Sequence, residues 1–228
     1  YQPKVHMVTG AVTGVEALLR WQPEGKPLVM PDRFIPVLEE TGLIVQAGAW
    51  VLQEACRQLM VWRSHGMPPI GVAVNVSARQ LQSPGFVELV ERVLKETRLE
   101  PRWLELELTE TIFVDNASDN VRVLRRLADL GVSLAIDDFG TGHSSLSYLS
   151  NFSPRTLKID RSFLSEAEDG SDNVVIARAI IALGHGMGLN VVAEGVETEH
   201  PGGRWGGRPP ARPAAPSGRE VGGSAPRP

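Results

Sequence analysis

The 228-residue sequence contains one cysteine, Cys56. A single thiol excludes both a disulfide framework and a cysteine zinc site, and suits a reducing compartment. Long hydrophobic runs are missing too. The longest candidate, Ala179 to Leu183, stops at Gly184, far short of the roughly 20 apolar residues of a membrane-spanning helix. There is no excess of positive charge: the net charge of −4 offers no general basic footprint for a nucleic-acid polymer. The opening YQPKV is neither a signal peptide nor a transit peptide, and reads as a strand inside a longer polypeptide. What is present is a 42% hydrophobic fraction, enough for one large domain with a real core and too much for a disordered chain.

These averages hide a boundary. Residues 201–228 hold seven Gly, seven Pro, five Arg and one Glu, giving the tail a charge of +4 and leaving −8 on residues 1–200. The tail has no helical or strand periodicity, and its composition predicts an unfolded Gly/Pro/Arg-rich segment.

Up to His200 the chain alternates β-branched runs with helical stretches. Strands are expected at Gln2–Val5, Val15–Leu19, Val72–Val76, Leu104–Leu108, Leu134–Asp138, Thr156–Ile159 and Asn190–Ala193. Helices are expected at Pro31–Thr41, Gln46–Trp62, Phe86–Lys95, Ala117–Leu130 and Asp172–Gly184. The alternation points to parallel strands covered by helices, in a doubly wound sheet or a (β/α)8 barrel. Polar residues recur near the C-terminal ends of nearly every strand. A barrel collects its functional groups there, whereas an open sheet would gather them at one switch point, so the barrel is the better reading.

Strand side chains alternate between faces. In LELELTE, Glu105, Glu107 and Thr109 oppose the leucines; in VAVNVS, Ala73, Asn75 and Ser77 oppose the valines; in TLKID, Lys158 and Asp160 oppose Leu157 and Ile159. One such strand would be read as having a solvated face. Three strands of a parallel sheet resist that reading, because helices cover both faces of such a sheet. In a barrel the acids would point inward, where an isolated charge is too costly to bury. Asp137 and Asp138 add carboxylates at a strand end, and Glu16 and Glu194 sit in otherwise apolar strands. One lysine cannot neutralise so many acids, but divalent cations can. Oxygen donors without His or Cys favour Mg²⁺ or Mn²⁺ over zinc. Two readings of the chemistry stay open: a two-metal site that activates water against a phosphodiester, and a one-metal site with a lysine base.

Seven motifs carry a more specific signal. They are YQPKV at 1–5, VEALLRW with Glu16-Ala17-Leu18, NVSARQL at 75–81, LELELTE at 104–110, LAIDDFGTGHSSLSYL at 134–149, LKIDRSFL at 157–164 and VVAEGVE at 191–197. In this order and spacing the chain resembles the EAL domain, the bacterial family that linearises cyclic di-GMP to pGpG. The resemblance covers nearly all of 1–198 and implies an α/β (β/α)8 TIM-like barrel. It implies Glu16, Asn75, Glu107 and Asp137 as ligands of one Mg²⁺ or Mn²⁺, and Asp137 with Asp138 as the holders of a second. It implies Lys158 as the lysine that helps activate the attacking water, with Glu194 near the second ion. Arg20 matches an arginine on the substrate phosphate, Glu110 the acid that steadies the loop after Asp138, and Glu197 the second glutamate of EGVE, on the substrate side. Cyclic di-GMP is the implied ligand, with a homodimer and an upstream GGDEF or sensory domain as implied partners. A cytoplasmic domain is implied, in a parent protein that can be anchored to a membrane.

The sequence departs from this family after residue 198, where Glu199-His200 runs into PGGRWGGRPP. The expected helix and an eighth strand bearing Gln-Gly-Tyr are not there, as a shifted reading frame in a GC-rich gene would produce. The expectation is therefore an EAL domain over 1–200, incomplete at both ends and lacking its eighth strand. A non-catalytic cyclic di-GMP-binding fragment is the alternative to the phosphodiesterase. The remaining notable side chains have bland readings: Trp21, Trp50, Trp62 and Trp103 as packing or helix-cover residues, His65 and His185 as helix-end residues, His143 as a loop residue, and Cys56 as a small buried group.

Overall fold

A computed structural model describes residues 1–113, 117–141, 152, 154–165 and 172–195 of the chain. Glu197, His143 and the whole 201–228 tail lie outside the described residues. One seven-stranded sheet runs in chain order: β1 (Gln2–Val5), β2 (Val12–Ala17), β3 (Gly71–Val76), β4 (Leu104–Thr109), β5 (Ser133–Phe139), β6 (Thr156–Ile159) and β7 (Asn190–Ala193). The helices are α1 (Pro31–Thr41), α2 (Ile44–Ser64), α3 (Ala78–Leu81), α4 (Phe86–Thr97), α5 (Ala117–Asp129), α6 (Ser162–Ser165) and α7 (Asp172–Gly186). The architecture is an α/β half-barrel, with no eighth strand among the described residues.

One strand corrects the expected alternation. β1 pairs with β2 antiparallel, with Lys4 opposite Gly14, while every later pair is parallel. Only residues 6–11 separate the two strands. A parallel crossover needs a dozen or more residues, so so short a link can make only a hairpin. The link is a tight turn: His6 N–H donates to the Ala11 carbonyl at 2.9 Å, and Gly10 N–H to the His6 carbonyl at 2.8 Å. The same pairing draws the start of β2 back to Val12, and the strand ends at Ala17 rather than Leu19.

The outward strand faces form the core. Val72, Val74, Leu104, Leu106, Leu108, Leu134, Ile136, Leu157 and Ile159 are buried there. On α2 the buried stripe is Ile44, Gly48, Leu52, Ala55, Cys56 and Leu59, the three- and four-residue spacing of an amphipathic helix. α4 buries Phe86, Val87, Val90, Val93 and Leu94. The short α3 begins with a capping box in which Ser77 and Gln80 satisfy each other's backbone N–H groups, a start signal readable in the Ser-x-x-Gln spacing. Gly48 lets α2 close on it, since a Cβ there would fall 1.8 Å from Gln80 Nε2.

The tryptophans divide between surface and core. Trp21 and Trp50 are exposed, whereas Trp62 and Trp103 pack against the core. Trp21 touches Phe34 edge-on. Cys56 is fully buried, and burial pushes its thiol up to about 12, so it behaves as a small apolar group.

Candidate active site

The inward strand faces carry charge. Parallel pairing sets Asn75 of β3 beside Glu107 of β4, and Thr109 of β4 beside Asp137 of β5. Lys158, on β6, is buried at the middle of this face. Its Nζ lies 2.8 Å from Glu107 Oε2, 3.0 Å from Asp137 Oδ2, 2.7 Å from Glu194 Oε1 and 3.5 Å from Glu16 Oε2. Asn75 Nδ2 donates to Glu16 Oε1 at 2.7 Å. Acids from β2, β4, β5 and the end of β7 thus converge on one ammonium.

Asp137 and Asp138 are neighbours, and strict alternation would send them to opposite faces. Asp138 escapes alternation by taking a left-handed backbone, φ 52°, which Asp tolerates better than most residues. The β5–β6 register shifts between Ile136 and Phe139 at the same place, as at a bulge. Two groups of carboxylates result, Glu16–Glu107–Asp137 and Asp137–Asp138–Glu194, in each of which one oxygen per residue lies within 4.8 Å of the others. They share Asp137. All-oxygen donors of this kind suit hard divalent cations, so each group fits one ion, with Asp137 between them.

The electrostatics record the crowding. Burial alone would lower the Lys158 ammonium, but Glu107, Asp137 and Glu16 reverse this and hold it well above its ordinary value. Burial pushes Asp137 up to about 7, against the pull of Lys158 and with the help of Glu107 and Glu194. Burial and the Glu107 charge likewise raise Glu16. Asp138 is raised by burial and by the charge of Asp160. Glu107 goes the other way: burial would raise it, but Lys158 and Lys4 hold it below the usual carboxylate range.

The remaining predicted residues are more dispersed. Glu110 Oε1 accepts from Gly140 N–H at 2.9 Å, so this acid does fasten the chain just after Asp138. Arg20 is exposed, and its Nη1 donates to the neighbouring Leu19 carbonyl; no contact with the carboxylates is among its interactions. Glu197 is outside the described residues. Beside the acids, a cavity of about 960 Å³ opens between the ends of β2 and β3 and helices α1 to α3, lined by Leu18, Ile35, Asn75, Ser77, Gln80 and Glu107 among others. That is room for a drug-sized ligand.

One charged residue escaped the sequence reading. Lys4 reaches inward from β1 and puts Nζ 2.7 Å from both Glu105 Oε1 and Glu107 Oε1. The signal existed: a lysine in the middle of a short strand has its side chain on a definite face, and so many acids need more than one counter-charge.

Comparisons with known proteins agree with this fold. The family model described as the EAL domain matches residues 1–201. The chain is 48% identical over 199 residues to the bifunctional diguanylate cyclase/cyclic di-GMP phosphodiesterase MucR of Pseudomonas aeruginosa, covering 87% of this chain and 29% of MucR. It is 43% identical over 198 residues to the cyclic di-GMP phosphodiesterase NbdA of the same organism, covering 87% of this chain and 25% of NbdA. The chain therefore spans well under half the length of these relatives. Among solved structures, the MucR phosphodiesterase in complex with c-di-GMP superposes with a TM-score of 0.83 at 48% identity, covering 87% of this chain and 81% of that one. The EAL domain of Mycobacterium smegmatis DcpA gives a TM-score of 0.69 at 38% identity, covering 87% and 78%.

Proposed function

The chain belongs to the EAL-domain family, and from that premise we propose that it hydrolyses cyclic di-GMP to linear pGpG with two bound divalent cations. The observation that carries the reading is the pair of carboxylate groups hinged on Asp137. Glu16, Asn75, Glu107 and Asp137 would hold one Mg²⁺ or Mn²⁺, and Asp137, Asp138 and Glu194 the other. When bound, such ions supply Lewis acidity and an activated water for attack on the phosphodiester.

The chain's own groups have distinct tasks. Lys158, held charged by the carboxylates around it, keeps those acids together at the cup's centre, and would turn a donor to the incoming nucleophile where cations take over those carboxylates. Glu110, through Gly140 N–H, fixes the segment that follows Asp138. Arg20, exposed beyond β2, would meet a phosphate, where a guanidinium binds two oxygens at once. The cavity beside Asn75 and Gln80 has room for part of a cyclic dinucleotide. The parent polypeptide, in this reading, is a cytoplasmic signalling protein that carries a GGDEF or sensory domain upstream and works as a homodimer.

Chromatography of cyclic di-GMP incubated with the purified chain and Mn²⁺ tests the proposal. The expected product is pGpG, lost when Glu16 is replaced by Ala. Tight nucleotide binding without any pGpG would select the non-catalytic binding reading instead.

A further inference from the structure

Lys4 occupies a position that the proposed mechanism does not use. Its side chain leaves β1, the antiparallel strand at one end of the sheet, and ends against Glu105 and Glu107 on β4. To get there it crosses the inward faces of β2 and β3. Those faces are nearly bare beneath Glu16 and Asn75, where they carry Gly14, Gly71 and Ala73. Gly14 sits opposite Lys4, and a Cβ on it would lie 3.9 Å from Lys4 Cδ and 3.3 Å from the Gly71 carbonyl oxygen. The lysine stem passes over Gly14, where the missing Cβ leaves it room.

At the far end the contacts are divided. Lys4 takes Glu107 Oε1 at 2.7 Å, and Lys158 takes Glu107 Oε2 at 2.8 Å. Glu105 shares Lys4 through Oε1 and accepts from the Thr156 hydroxyl through Oε2 at 2.7 Å. Glu107 is therefore gripped on Oε1 from the floor of the cup, while Oε2 meets the ammonium of Lys158, on which Glu16, Asp137 and Glu194 also converge. Outer groups that fix a ligand's orientation in this way govern metal affinity.

We infer that Lys4 is a positioning residue for the metal site: passing over Gly14, it anchors Glu107 Oε1 so that Oε2 points at the first cation position. The inference rests on the two-cation reading above.

Orientation and charge make opposite predictions. Were Lys4 only a nearby positive charge, its removal would tighten cation binding. As an anchor, its removal frees Glu107 and weakens binding. Mn²⁺ titration of the full-length, metal-free chain, read from the free-ion electron paramagnetic resonance signal, separates the two. Lys4→Met should raise the Mn²⁺ Kd about 10–100-fold, and Lys4→Arg should return it to within about threefold of the wild type. Circular dichroism checks that each variant is folded, and Lys4→Gln takes the place of Lys4→Met should the latter fail to fold. An unchanged or lower Kd in the neutral variant overturns the inference alone. Failure of the wild-type chain to bind Mn²⁺ overturns the two-cation reading, and this inference with it.

Discussion

The middle of the sheet and its flanks carry similar charged side chains under different conditions. In the middle, Glu107 on β4 and Lys158 on β6 are sealed from solvent, and the outward Leu104, Leu106 and Leu108 are fully buried. On the flanks, the Glu194 side chain after β7 keeps 29% of its exposure and that of Lys4 on β1 keeps 16%, while Asn190 of β7 is exposed and the rest of that strand only half-buried. A strand with neighbours on both sides has its register and its inward side chains dictated twice. A flanking strand is held from one side. The middle therefore presets the Glu16–Glu107–Asp137 group, and the second group depends on Glu194, which a less constrained strand must deliver.

Three measurements sharpen or break this contrast. Lys158→Met should have the largest effect, because it leaves Glu16, Asp137 and Glu194 facing one another without their common cation. A loss of about 3–5 kcal/mol in urea denaturation is expected for breaking so buried a cluster, with much of it recovered on adding Mn²⁺. Next, Leu106→Ala on β4 should cost about 2–5 kcal/mol and Val191→Ala on β7 about 1 kcal/mol; equal costs would abolish the distinction between middle and flank.

The smallest effect concerns pH. The Asp137 carboxyl, pushed up to about 7, prefers its protonated form in the metal-free fold. Its contribution to stability is therefore fully present below the ordinary carboxylate range and is lost as pH rises through about 7. A divalent cation takes only the ionised form. The rise in Tm produced by saturating Mn²⁺ should accordingly be larger at about pH 8 than at about pH 6. The reverse order would remove Asp137 from the cation site.

Much of this arrangement was legible from alternation alone. The leucine face of LELELTE and the valine face of VAVNVS meet the helices, and Glu107, Asn75 and Lys158 face inward, as the period of two requires. The helices over 31–41, 86–97 and 172–186 start where the sequence places them. Other features were decided by contacts that are not local. The direction of β1 followed from the length of its link to β2 rather than from its own residues. Lys4 became visible as a site residue only once β1 was seen to lie where a lysine stem can cross to β4. The exposure of Trp50 could not be read from α2, because a tryptophan fits equally well over a core or at a surface. The convergence of Asp137 and Asp138 contradicts simple alternation, and the family resemblance rather than the periodicity paired them.

The left-handed turn of the backbone at Asp138 has an evolutionary consequence. A regular strand can offer a binding cup only every second codon, yet here two successive codons both contribute. Deleting the single codon for Asp138 would return β5 to simple alternation and dissolve the Asp137–Asp138–Glu194 group while sparing Glu16–Glu107–Asp137. One small genetic lesion thus separates an arrangement with two carboxylate groups from an arrangement with one.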